Sequence, residues 1–292
     1  MPLRLAIAAF LVSTGIACAQ DAVVIDEDAG FPEGPFVEGG VPYYTEYGAH
    51  TISTWDGSKL ATLWTQEGCG PSAVQRFGEG FLVTCYDSGT LALVAADGKS
   101  AKAIDKDDGG NPLLGPNDIA LDGNGGAYVT ASGPWDAAPI VGSVMHVALD
   151  GTAKVVADDP HYANGVALSA DGATLFVVEH YANRVIRFTV NADGSLSDRR
   201  MFVRLSDLDE PADALPDGIK LGPDGNLYIG LYSAGRIVVV DPEGKLVRKI
   251  AVPSATAPNL AFSEDGKTLF VMAVDDTANP PYKGKVYSIA LE

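Results

Sequence analysis

Six polar residues recur where apolar strands begin: Glu33, Ser72, Asn117, Asn164, Asp217 and Asn259. The last five are spaced by 45, 47, 53 and 42 residues. Asn and Asp are depleted in strands, and a lone one at a strand start reads as a turn-former bonded to its own backbone. Six in one phase read instead as a set, and its chemistry is that of hard oxygen ligands. Glu33 and Asp217 offer carboxylates, and Asn117 and Asn164 offer neutral carboxamide oxygens. Calcium takes about six to eight such ligands, and two carboxylates match the charge of a divalent ion. Zinc fits less well, because the set has no Cys or His at zinc spacing. Asn117, Ser72, Asn259 and His161, which stands just before Asn164, are the expected substrate contacts.

The elements that must bring these residues together are visible as a repeat. GPSAVQRFGEGFLVTC, GPNDIALDGNGGAYVTA, YANGVALSADGATLFVVE, LPDGIKLGPDGNLYIGL and APNLAFSEDGKTLFVMA each read as a strand, a turn rich in Asp and Gly, and a second strand. Asp-Gly pairs supply the positive-φ positions of tight hairpins. Further strands follow each hairpin, such as NRVIRFTV and GRIVVVD, giving about four strands per unit at the size of a propeller blade. FPEGPFVEGGVPYYTEYGAHTISTWDG adds a unit with Glu33 at its entrance. The pattern predicts an all-β fold, a six-bladed β-propeller with four antiparallel strands per blade, as a single domain over residues 20–292. The early strand AVVIDE is expected to close the ring beside GKVYSIALE. In a propeller the innermost strands line a central channel, so entrances distant in sequence converge on one mouth.

The chain of 292 residues carries 38 acidic against 20 basic side chains, a formal charge of −18. That balance argues against nucleic acid or an anionic membrane surface as partner, since both require Lys/Arg clusters. Residues 1–19 have the layout of a secretory signal peptide, with Arg4, an apolar run and Ala17-Cys18-Ala19 before the expected cleavage point. A lipoprotein reading with Cys18 modified matches less well, because Gly15 stands where a bulky aliphatic residue is usual. Nothing later in the chain reads as a membrane span, so a periplasmic or secreted protein is expected. Cys69 and Cys85 flank a hairpin in what would be an oxidising compartment. A disulfide there is one of two outcomes, because one register step would separate the Cα atoms too far.

At PEGP (32–35) followed by YYTEYGAHTISTWD, GPND (115–118), ANG (163–165) and PDG (216–218), the sequence resembles the SMP-30/gluconolactonase/LRE family. The resemblance spans essentially the whole mature chain, with every motif in the family's order. It implies that Glu33, Asn164 and Asp217 bind a divalent metal, most readily calcium, with zinc, manganese and magnesium as alternatives. It also implies that Asn117 binds substrate or completes the metal's ligands. The implied reaction is hydrolysis of a lactone or related small-molecule ester, with Asp217 as general base toward water or, less directly, as nucleophile. Members acting on sugar lactones often carry Arg two residues before the PND-type Asn, where this chain has Gly115. That departure, with Trp135, Ile140 and Leu215 in flanking loops, points to a more apolar rim.

His180 follows a strand end and is expected near the mouth, whereas His50 and His146 are expected to be structural. Tyr43 and Tyr44 read as blade packing. The acidic runs 105–108 and 207–210 read as solvated loops. A monomer is expected. Two rival readings share the fold: phosphotriester or aryl-ester hydrolysis at the same site, and a noncatalytic propeller that binds a ligand through its mouth.

Overall fold

The computed structural model describes residues 21–291, and residues 1–19, expected to be a signal peptide, lie outside them. After β1 (Ala22–Gly30) come four-stranded antiparallel sheets in chain order. The first holds β2 (Pro32–Glu38), β3 (Val41–Glu46), β4 (Thr51–Trp55) and β5 (Leu60–Thr65). The second holds β6 (Pro71–Phe77), β7 (Gly80–Cys85), β8 (Thr90–Val94) and β9 (Ala101–Ile104). The third holds β10 (Pro116–Leu121), β11 (Ala127–Ala131), β12 (Ser143–Val147) and β13 (Ala153–Asp158). The fourth holds β14 (Ala163–Leu168), β15 (Thr174–Glu179), β16 (Arg184–Val190) and β17 (Leu196–Arg204).

The remaining strands form one eight-stranded sheet. It contains β18 (Pro216–Leu221), β19 (Leu227–Leu231), β20 (Arg236–Val240), β21 (Leu246–Ala251), β22 (Thr256–Phe262), β23 (Thr268–Val274), β24 (Lys283–Ala290) and β1. Its halves, β18–β21 and β22–β24 with β1, are joined by a single pair, Leu231 with Ala257. β1 runs antiparallel to β24, with Ala22 opposite Ile289 and Gly30 opposite Lys283. The expected closure by AVVIDE is therefore observed. Tyr44 reinforces it by donating its hydroxyl to Asp26 on β1 at 2.6 Å.

Leading strands touch in a closed cycle: β2 with β6, β6 with β10, β10 with β14, β14 with β18, β18 with β22, and β22 with β2. The arrangement is β-propeller-like, and it gathers the strand entrances around one axis. Turn chemistry fixes four of the six leading hairpins. Asp122, Asp171, Asp224 and Asp265 accept hydrogen bonds from the N–H two residues on, at 2.7, 3.0, 3.1 and 3.1 Å. Such Asx turns hold register without a long loop.

The core lies between successive sheets. Phe176, Val178 and Val185 of the fourth sheet pack with Ile219, Ile229 and Val238 of the next. Leu82 and Leu91 of the second pack with Val129 and Met145 of the third. These side chains are almost fully buried, and each contributes roughly 1.5–3 kcal/mol by leaving water. Tyr43 stacks on Phe36 with centroids 4.8 Å apart, and Tyr44 is fully buried. Cys69 and Cys85 are joined in a disulfide with Cα atoms 4.6 Å apart. No helix among the described residues is long and apolar enough to cross a membrane.

Candidate metal and substrate site

Five of the six entrance residues, Glu33, Ser72, Asn117, Asn164 and Asp217, line one cavity of about 270 Å³ at the mouth of the ring. Each is the first or second residue of a leading strand. The local geometry explains the glycine that follows Asn164. A Cβ on Gly165 would lie 2.3 Å from the Asp217 carbonyl oxygen and 2.6 Å from the Ile219 nitrogen. Adjacent leading strands therefore approach at backbone contact just below the site, which only glycine allows.

Asn259 departs from the expected phase. In three other sheets the residue pairing with the end of the second strand stands immediately before the entrance residue: Pro116 with Ala131, Ala163 with Glu179, Pro216 with Leu231. In the last sheet Thr256 pairs with Val274, so Ala257 occupies the entrance position. Asn259 sits two residues further along, opposite Met272. It does not line the cavity but donates Nδ2–H to Glu33 Oε2 at 2.8 Å. Its Oδ1 accepts the Leu260 N–H at 2.9 Å. Both ends of the carboxamide are thus committed to protein partners.

His161 is also outside the cavity lining. Its Nε2–H donates to the Ala137 carbonyl at 2.8 Å, and its backbone N–H donates to Glu179 at 2.9 Å. His146 pairs with Asp122 at 2.8 Å away from the mouth. Ile140 and Leu215 do not line the cavity, whereas Trp135 does.

The electrostatics of the site are those of crowded acids. Burial is the largest cause that pushes Glu33 up to about 7, with the charge of Asp118 adding to it. The Gly34 N–H, at 2.9 Å from Oε2, and Asn259 act in the opposite direction. Asp217 is raised well above the carboxylate range by burial first, then by Glu33 and Asp118, against a lowering contribution from Asn164. Beneath them Asp118, 2% exposed, accepts the N–H groups of Ile119 and Val166 at 2.8 and 3.1 Å. Lys220 lies 3.2 Å from the Asp118 carboxylate. Three buried carboxylates thus face one ammonium.

That surplus is a direct test of fit for a cation. Two unpaired carboxylates in a buried site are costly unless neutralised, and a divalent ion supplies the missing charge. The oxygen-only donor set of Glu33, Asp217, Asn164 and Asn117 suits a hard ion. Among the described residues no three His, Cys, Asp or Glu side chains form a metal-holding group, so carboxamide oxygens would have to complete the ligands.

Above the floor the walls are aromatic: Phe31, Tyr47, Tyr86, Trp135, Tyr162, Tyr232 and Tyr282. Several hydroxyls are turned to the protein. Tyr47 donates to Asp87 at 2.8 Å, Tyr86 to the Gly133 carbonyl at 2.9 Å, and Tyr162 to Tyr86 at 3.0 Å. No Lys or Arg stands among the described lining residues. Gly115 leaves no room for one: its Cβ would meet the Gly133 carbonyl at 2.6 Å and the Tyr86 ring at 2.9 Å.

Apart from Trp135, sequence reasoning missed these walls, and it missed Asp118 and Lys220. A signal existed. Tyr47, Tyr86 and Tyr232 each follow the last residue of a second strand, β3, β7 and β19, as does His180 after β15. Aligning the repeat at its strand exits as well as its entrances would have exposed these four residues.

Comparison with known proteins bears on the family and the fold. The family model described as SMP-30/Gluconolactonase/LRE-like region matches residues 31–275. A curated relative, Lactonase drp35 of Staphylococcus saprophyticus, is 30% identical over 201 residues, covering 67% of this chain and 60% of that protein. The match thus spans about three fifths of the relative's length. Among solved structures, a gluconolactonase of Xanthomonas campestris aligns with TM-score 0.76 at 22% identity, covering 93% of this chain and 89% of its own. Regucalcin of Agrobacterium tumefaciens, described as a calcium-binding protein, aligns with TM-score 0.79 at 18% identity, covering 94% and 95%.

Proposed function

The chain belongs to the SMP-30/gluconolactonase/LRE-like family, and from that premise we propose that it is a metal-dependent hydrolase that opens a small lactone. The fold is read as one six-bladed propeller domain, each four-stranded unit a blade, with β1 completing the last. The observation that carries the proposal is the pair of buried carboxylates, Glu33 and Asp217, each raised first by burial and then by neighbouring acids, with Lys220 the one ammonium paired to this acid cluster among the described residues.

Glu33, Asn164, Asp217 and Asn117 would hold the ion, most readily calcium. A bound divalent cation polarises an ester carbonyl and stabilises the negative charge that develops as water adds. Asp217 would accept the proton of that water; burial raises its basicity, against the lowering effect of a bound ion. The aromatic walls exclude bulk water and lay the substrate ring flat. Their tied hydroxyls and the missing cation favour a lactone with an apolar or aromatic ring over a polyhydroxylated aldonolactone. A buried hydroxyl left without a partner costs about 1–3 kcal/mol. Export to the periplasm or beyond is part of the proposal, supported by residues 1–19 and by the disulfide.

The test is hydrolysis of a panel of aldonolactones, aliphatic lactones and aromatic-fused lactones, with calcium and with excess chelator. Activity that survives chelation undiminished overturns the metal-dependent reading. A preference for aldonolactones overturns the apolar substrate.

A further inference from the structure

The residue one past the second strand of a sheet stands beside the next sheet's entrance. In the third sheet this residue is Ser132, since Ala131 ends β11 opposite Pro116. Its hydroxyl donates to the Ala163 carbonyl, just before Asn164, at 2.6 Å. In the fourth sheet the equivalent residue is His180, since Glu179 ends β15 opposite Ala163. Its Nδ1 lies 2.8 Å from the Pro216 carbonyl, just before Asp217.

The two positions differ in what supports them. Asn164 has a second holder, because Thr130 donates to its own carbonyl at 2.6 Å. Counting back from the strand end, the residue matching Thr130 in the fourth sheet is Val178, which carries no polar group. Among the described residues the preceding sheet therefore bonds Asp217 at its carboxylate through the Asn164 side chain, and holds the backbone before it through one side-chain hydrogen bond.

That bond fixes its own donor. A carbonyl oxygen only accepts, so Nδ1 must carry the proton. His180 is fully buried, and Nε2 meets no hydrogen-bond partner among the described residues. Moving the proton to Nε2 would bury an unsatisfied N–H and set a lone pair against the carbonyl. The rings of Trp135, Tyr162 and Tyr232, all part of the cavity wall, pack on the imidazole with centroids 5.3–5.9 Å away. The imidazole is therefore locked in one tautomer between the aromatic wall and the Asp217 strand.

We propose that His180 is a positioning residue for Asp217, holding the Pro216 carbonyl so that the carboxylate is set toward the cavity. The proposal rests on the reading of Asp217 as metal ligand and base. It assigns His180 no contact with substrate.

The side-chain geometry of Asn and Gln separates this role from packing. The amide nitrogen of Asn can occupy the place of Nδ1, whereas that of Gln reaches the place of Nε2. His180→Asn, His180→Gln and His180→Phe would be compared in the full mature chain. Calorimetric titration of the chelator-stripped proteins with calcium alone is one readout. Separate kcat and KM values for an aromatic-fused lactone are the second, and near-ultraviolet circular dichroism reports folding. His180→Phe and His180→Gln are expected to weaken calcium affinity and lower kcat by about 10- to 100-fold, with KM nearly unchanged. His180→Asn is expected to stay within about threefold of the parent on both.

Unaltered affinity and kcat in a folded His180→Phe or His180→Gln protein overturns the role. Equal losses in all three variants also overturn it, because packing rather than the hydrogen bond would then be the cause. If His180→Phe does not fold, the contrast between Asn and Gln decides alone. A parent protein that neither binds calcium nor opens any lactone overturns the reading of the site itself, and His180's role with it.

Discussion

Asn259 donates to Glu33 across 2.8 Å, joining residues 226 positions apart in the chain. The donor lies on the leading strand of the last sheet and the acceptor on that of the first. Their hydrogen bond spans the seam of the ring at the floor of the site. Among the described residues, Glu33 takes hydrogen bonds only from Asn259 and the adjacent Gly34 N–H. Asn259→Leu should therefore leave the carboxylate poorly placed and harder to ionise. Calorimetry is expected to show calcium affinity reduced by about 10- to 100-fold at neutral pH, with the thermal transition still cooperative.

The metal-free protein should become less stable as pH rises. Glu33 lies at about 7 when folded against an ordinary value of 4.5, and Asp217 is shifted in the same direction. Between those values the folded state holds more protons than the unfolded one, so unfolding free energy falls as pH increases. The favourable contribution is complete below the ordinary carboxylate value and is lost as pH passes through about 7. Thermal melts of chelated protein from pH 5 to 8 should show a declining Tm beyond that of a Glu33→Gln variant. Saturating calcium should remove that decline, and calcium affinity itself should fall as pH drops below 7.

Gly165→Ala should damage the site more than its one added methyl implies. The obstructing atoms are the Asp217 carbonyl and the Ile219 nitrogen, backbone atoms that cannot swing aside. Overpacking costs typically about 1–3 kcal/mol, and here the displaced strand is the one bearing Asp217. Denaturant melts and calcium titration should both register the change, with affinity lost even in protein that remains folded.

The disulfide should stabilise without taking part in chemistry. Cys69 and Cys85 are buried, 16 residues apart, and absent from the cavity lining. Closing a loop of that length contributes about 3 kcal/mol in the chain-entropy model. A Cys69→Ser, Cys85→Ser double variant should unfold at lower denaturant concentration while keeping its kcat. A lost kcat at temperatures where the variant remains folded would contradict this separation.

The entrance residues were legible because each interrupts an apolar strand, and neither core packing nor a turn accounts for a polar group in that phase. Asn259 shows the limit of this reading. Spacing counts residues, whereas the pairing of Thr256 with Val274 places Ala257 at the entrance, a register that spacing does not reveal. The disulfide was undecided for the same reason, since only the register beside Pro71 and Cys85 sets the distance. The aromatic walls were hidden differently. Tyr47, Tyr86 and Tyr232 stand just past the ends of strands, where aromatic residues are ordinary, and only the third dimension shows that they project into a shared mouth. Asp118 and Lys220 belong to different sheets, 102 residues apart, with nothing local to pair them.

The partnership of β1 with β24 sets an order of events during synthesis. Strand β1 must wait, its edge unpaired, until β24, about 260 residues later, has been made. Unpaired edges invite wrong partners, and contacts so distant in sequence form slowly. Because Glu33 and Asn259 meet across the same seam, the floor of the candidate site is among the last parts of the molecule to be assembled. A nascent chain would thus carry every residue of the proposed cation site yet leave Glu33 without its Asn259 partner until the circle is shut.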